Sequence, residues 1–181
     1  MMEKHFSLGR HGAHLWTREK ARLIRSQVAG VLETLETGDV LAIDGTGVEV
    51  FDFSFANELF GRTLSTLATE YPGRFLIVDN LTEYASENLS KALESTNQMM
   101  IERRKGKFVL LGKVHPVDED TFSEILRAGQ AVSAGALSKK LEVNLTAMNE
   151  RLSKLVSQGL LRREKGSSAS GREQYVYRLL N

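Results

Sequence analysis

Hydrophobic positions follow two different rhythms along the chain. Up to about residue 113, short apolar runs of β character alternate with stretches in which apolar residues recur every three or four positions. The segment 17–39, "TREKARLIRSQVAGVLETLETGD", opens with Thr17 as a helix N-cap. It places Leu23, Val28, Val31, Leu32 and Leu35 at helical spacing before Gly38 stops it. "VLAID" (40–44) is a short strand, "GTGVEV" turns and continues extended, and Phe55, Leu59, Phe60, Leu64, Leu67 and Ala68 then predict a helix from about Ser54 to "YPG". "RFLIVDN" repeats the strand pattern, residues 86–104 read as a second helix, and "KFVLLGK" as a further strand. This alternation of strand and helix with short connections predicts neighbouring parallel strands with helices packed on them. The preceding "HFSLGRHGAHLW" reads as a short strand pair or an irregular edge.

Beyond "KVHPVDED" the rhythm changes. "TFSEILRAG" predicts a helix ending at Gly129, "SAGALSKKLEV" a short helix, "NLTAMNERLSKLVSQG" a longer one, and "LLRREKGSSASGREQYVYRLL" a two-stranded hairpin around a Gly/Ser loop. The expected organisation is an α/β domain over residues 1–116 and a second, mainly helical domain over 117–181.

Composition narrows the classes. In 181 residues, 41% are hydrophobic, enough for a real core. The longest apolar runs fall far short of the about 20 residues a membrane span needs, and the first ten residues carry no apolar signal region, so a cytoplasmic protein with no membrane partner is expected. The chain has no cysteine, which excludes disulfides and thiolate metal sites. Charge is unevenly spread: residues 139–181 hold nine Lys or Arg and four acids, although the whole chain is at +1. A basic C-terminal segment points to a polyanionic partner.

Candidate chemistry centres on "FDFSFANELFG" (51–61). Ser54 could be a nucleophile, a phosphoacceptor or a helix cap. A strained nucleophile elbow needs glycines around its serine, whereas both neighbours here are phenylalanine, and no histidine falls in the α/β pattern to serve as base. As a cap, Ser54 would be supported by Glu58 in the first turn. His5, His11 and His14 would ligate a metal only with a further donor, and read more simply as exposed or locally bonded imidazoles. "DGTG" lacks the Lys-Ser/Thr of a phosphate loop and the spacing of a dinucleotide fingerprint. No catalytic set, metal site or cofactor is expected.

In the C-terminal segment, the register "ALSKKLEVNLTAMNERLSKLVSQGLLRR" is telling. Asn144 can cap its second helix, and Leu145, Met148, Leu152, Leu155 and Val156 form one apolar stripe. Thr146, Ala147, Glu150, Arg151 and Lys154 then face outward, and Gly159 ends the helix as a left-handed cap. Arg162, Arg163 and Lys165 lead into "GSSASGR", where small residues such as Ser167 and Ser168 would let the hairpin tip approach a phosphate backbone, with Arg172 on the return. Residues 119–181 resemble the winged helix-turn-helix domains of bacterial transcriptional regulators, of the MarR and ArsR kind. The resemblance implies that the second helix enters the major groove of double-stranded DNA while the wing's cations hold phosphates. Glu150 could accept from a cytosine amino group. A winged helix can also serve as a protein-docking or dimerisation module.

Over residues 5–113, "LWTREKARLI", "GDVLAIDGTGVEVFDFSFANELFGRTL" and "FLIVDNLTE" resemble the STAS-like domains related to anti-sigma factor antagonists. That resemblance implies a mixed sheet with packed helices and a signalling role rather than catalysis. In that group a partner kinase phosphorylates a serine at the start of the helix after the second core strand. Laid on this chain, "DFSF" puts Asp52 at the acid and Ser54 at the phosphoacceptor, with Phe53 and Phe55 in place of small residues. A DNA-binding transcription regulator follows, with a STAS-like domain sensing a partner, modification or ligand. The alternative is a signalling adaptor that binds a kinase or switch protein and no DNA. A homodimer is the expectation for a palindrome reader.

Overall fold

In chain order the first part of the protein runs β1 (Glu3–Ser7), β2 (His14–Leu15), α1 (Arg18–Glu33), β3 (Val40–Asp44), β4 (Val50–Phe51), α2 (Phe53–Ala56), a π turn (Asn57–Gly61), α3 (Arg62–Glu70), β5 (Phe75–Asp79), α4 (Glu83–Ser95), β6 (Met99–Arg104) and β7 (Lys107–Gly112). The structure is a computed structural model that describes residues 2–167 and 171–180. β1, β3, β5 and β6 lie side by side and parallel, and β7 closes the sheet antiparallel to β6. β2 and β4 form a separate parallel pair. The protein is therefore α/β, with a mixed sheet.

Burial explains why these segments take these forms. α1 turns Ala21, Ile24, Val28 and Leu32 inward, and they meet Leu41, Ile43, Leu76, Val78 and Met100 from the sheet in one apolar cluster with the buried residues of α4. Leu23, counted above on the inner stripe of this helix, is 65% exposed; Ile24 and Ala21 take its place. Phe51 stacks on Phe55 at 5.7 Å and meets Phe60 at 5.8 Å, all three fully buried, whereas Phe53 projects into solvent.

Three expectations are corrected here. The two short strands of the N-terminal segment do not pair with each other: β1 is an edge strand parallel to β3, and β2 pairs with β4. The helix expected over 86–104 stops at Ser95, because Asn97 takes a left-handed conformation (φ 54°) and "MMIERR" enters the sheet as β6. "KFVLLG" is antiparallel rather than parallel, because the two-residue turn Lys105-Gly106, both at positive φ, folds it straight back on β6. Gly112 ends that strand at φ 94°, where an added Cβ would lie 2.2 Å from the carbonyl oxygen of Gln98.

Contacts along the chain separate two compact units, 1–113 and 114–181. The division precedes the expected one by three residues because Pro116 is the first residue of a helix, where its missing N–H costs nothing, and not part of a linker. The second unit runs α5 (Pro116–Ala128), β8 (Val132–Ser133), α6 (Ala134–Lys140), α7 (Leu145–Ser157), β9 (Arg162–Ser167) and β10 (Glu173–Arg178). Its sheet has the order β8-β10-β9, all antiparallel, so the short strand β8, whose Ser133 was expected to begin the following helix, extends the hairpin. α7 packs on α5 and α6, burying Phe122, Ile125, Leu137, Met148, Leu152 and Leu155. Among the described residues, no helix is long and apolar enough to cross a membrane.

Candidate nucleic-acid interface

The turn between α6 and α7 is tightly specified. Ser133 caps α6 by accepting from the Ala136 amide at 3.2 Å, and Asn144 caps α7 by accepting from the Ala147 amide at 2.9 Å. Between them Glu142 adopts a left-handed conformation (φ 53°), and the Ser138 hydroxyl donates to the Val143 carbonyl at 2.6 Å. These bonds fix the angle at which α7 leaves the turn and which side of it meets solvent.

That side is polar but hardly basic. Thr146, Asn149, Glu150 and Ser153 are exposed at spacings of three and four, with Ala147 and Arg151 half-buried at the margin. Leu145, placed above on the buried stripe, is 52% exposed because it is the first residue of the helix and projects before the packing begins. Val156 is only half-buried. Asn149 belongs to this face and was missed from the sequence; its place three residues after Thr146 was the available signal.

Two cations assigned above to the interface have other work. Lys154 sits 2.5 Å from Asp118, a residue of α5 that is 1% exposed, so its ammonium neutralises a buried carboxylate. Arg162 is 6% exposed, with its guanidinium near the Leu180 carbonyl. Two further cations of the same segment are also paired: Lys140 with Glu124 at 2.7 Å and Arg178 with Glu164 at 2.7 Å. Lys139, Arg151, Arg163 and Lys165 have no carboxylate partner among the described residues, and Arg172 is exposed.

The hairpin arranges these charges by strand alternation. Arg163, Lys165 and Ser167 project from one face of β9, and Tyr175 lies directly opposite Lys165. The Arg163 guanidinium lies over the Tyr175 ring at 4.7 Å from its centroid, which holds the cation extended at the surface. Ser168, included above at the hairpin tip, lies outside the described residues. The C-terminal unit thus offers a polar, nearly uncharged helix face, and a hairpin strand with two adjacent outward cations.

No family model matches the chain, and no curated protein matches it. Among solved structures, a possible transcriptional regulator from Methanosarcina mazei Go1 aligns with 36% of this chain at 21% identity and a TM-score of 0.33. The alignment spans 56% of that protein's length.

In the first unit, Ser54 is not the helix cap. Asp52 is: its backbone is extended and its carboxylate accepts from the Phe55 amide at 2.7 Å, which places Ser54 at the second helical position. The Ser54 side chain is half-buried and has no hydrogen bond among the described residues. Glu58 does not reach back to the cap; it is buried in the π turn, 3.2 Å from Arg25 and 3.5 Å from Arg22.

The histidines do not assemble. His11 stacks on Phe6 and His14 on Trp16, and His14 also meets Glu49 at 3.2 Å. His5 joins two carboxylates, its ligand atom lying with those of Glu3 and Asp79 within 4.8 Å of one another. Arg103 already satisfies that cluster, bonding Asp79 through two nitrogens at 3.0 and 2.5 Å and Glu3 at 3.1 and 2.6 Å. The guanidinium is itself stabilised in its charged form, first by Glu3 and then by Asp79, and a metal would have to displace it. His5, Asp79 and Arg103, with Asp44, Asn80, Lys105 and Gly106, line a cleft of about 440 Å³ at the carboxyl ends of β3 and β5.

Proposed function

We propose that residues 114–181 form a winged helix-turn-helix that binds double-stranded DNA, and that the chain is a transcription regulator without catalytic activity. One observation carries this reading: a capped helix with an outward polar face, next to a hairpin that directs Arg163 and Lys165 to solvent. In this motif a helix face enters the major groove while flanking cations contact phosphates. The first unit is, on the same reading, a STAS-like module that senses a protein partner, a modification or a ligand. Ser54 is its proposed phosphoacceptor, because its hydroxyl is unbonded among the described residues and it stands at the second position of the helix. Homodimerisation on a palindromic site belongs to the same proposal.

The test is binding of the full chain to duplex DNA by fluorescence anisotropy across a salt series, with Arg163→Ala/Lys165→Ala alongside. Each phosphate contact contributes roughly 0.9 to the logarithmic salt slope, so the double variant should lower the slope by about 1.8. An unchanged slope, or no salt-dependent binding by the native chain, refutes the reading. A second reading, a protein-docking adaptor, is favoured by the exposed Leu145 at the start of α7. It predicts capture of a protein partner that Leu145→Ala abolishes, with no DNA binding.

A further inference from the structure

The outward face of α7 has a composition that bears on what it touches. A surface built to clamp phosphates would carry cations along its length, yet the stripe Thr146, Asn149, Glu150 and Ser153 has none and includes a carboxylate, which phosphates repel. Lys154, the nearest lysine in this helix, is turned away to Asp118. The helix face therefore suits base edges, and the sequence-independent attraction falls to the cations around it, Arg151 at its margin and Arg163 and Lys165 on the wing.

Among these side chains Asn149 has the most specific chemistry. Its amide presents one acceptor and two donors on a short arm, and it has no hydrogen-bond partner among the described residues. Asn144 differs, because its oxygen is consumed in capping the helix. In the major groove adenine offers an amino donor beside the N7 acceptor, and a primary amide meets both at once; guanine offers two acceptors there and rejects the amide oxygen. We propose that Asn149 reads an adenine in the DNA target through a bidentate contact to N6 and N7. The inference rests on the DNA-binding reading above. Glu150, one position on and exposed, carries a carboxylate that suits a cytosine amino group.

The experiment is selection of bound duplexes from a randomised library by the full native chain, by Asn149→Ala and by the isosteric Asn149→Asp. Asn149 is exposed, so neither change disturbs packing. The native chain should select a motif with a required adenine. Asn149→Ala should lose preference at that position alone, with affinity for the selected site falling about 5- to 100-fold and the salt slope unaltered. Asn149→Asp, which cannot donate, should move the preference from adenine toward cytosine. Replacing that adenine by 7-deazaadenine should weaken the native chain and leave Asn149→Ala unaffected. An unchanged motif in both variants, or equal sensitivity of native chain and Asn149→Ala to 7-deazaadenine, overturns the adenine assignment while leaving DNA binding intact. A native chain that selects no duplex at any salt overturns both.

Discussion

Lys154 offers the sharpest separation between a residue that holds the fold and one that touches DNA. Its ammonium lies 2.5 Å from an Asp118 carboxylate that is almost completely buried, while the lysine side chain is 41% exposed. Replacing Lys154 with methionine keeps the aliphatic stem and removes the charge, leaving Asp118 without its counterion. Breaking a buried pair in this way typically costs 3–5 kcal/mol. Water can reach the lysine end, so the lower figure applies, about 3 kcal/mol. For a domain this small each kcal/mol moves the midpoint by about 4–8 °C, so the thermal transition of the second unit should fall by roughly 12–24 °C. Far-UV circular dichroism of the full chain would show the shift. Amide hydrogen exchange would localise it, with protection lost in α5 and α7 and kept in α4 and β5. The double variant Lys154→Met/Asp118→Asn, which removes both charges, should recover most of the loss. The DNA salt slope should not change in the folded variant. If Lys154→Met leaves stability within about 0.5 kcal/mol of native and lowers the salt slope by about 0.9, Lys154 is a phosphate contact and the structural role is wrong.

Asp52 and Ser54 separate on the same principle: Asp52→Ala removes an N-cap and should cost about 1 kcal/mol in urea unfolding of the first unit, whereas Ser54→Ala should stay within about 0.5 kcal/mol. Equal effects would return Ser54 to the cap. Acid should destabilise the first unit through Glu3, held below the ordinary carboxylate range chiefly by its hydrogen bonds to Arg103, and through Asp39, lowered by the Glu36 and Met2 amides. Their folded-state pKa values are depressed, so the stabilisation is complete above the unfolded values, about 4.3 and 3.9. It is lost as pH falls through the lower folded ones. Urea midpoints between pH 5 and pH 2.5 should show the decline, and Glu3→Gln should flatten it; a midpoint that stays level in the native chain contradicts the assignment.

Local signals in the sequence carried the fold a long way, and they failed where distant residues decide. Thr17 and Asn144 cap the helices their spacing suggested, and Gly129 and Gly159 take the left-handed conformations expected of helix ends. "MMIERR" was lost because methionine and arginine suit a helix as well as a strand; Asn97 and the row of β5 beside it make the choice. Ser54 looked like a cap because serine is a good one, but the aspartate two residues earlier occupies that position. The site was least legible in its cations. Spacing puts Lys154 on an outward face, and nothing near it announces that Asp118, 36 residues back, will need it. Asn149 carried no charge to draw notice.

The place of β1 at the sheet edge has a consequence for the birth of the protein. β3 is buried along nearly its whole length, with Val40 to Ile43 at 1% exposure or less, and β1 covers its outer row of amides and carbonyls through five paired residues. A chain shortened by its first seven residues would leave that apolar strand as an open template for another molecule. During synthesis β1 emerges before β3, and it can only wait until residues 40–44 follow. A segment made before β3 thus becomes the guard on a strand that does not yet exist, and α1 lies on the crossover between them.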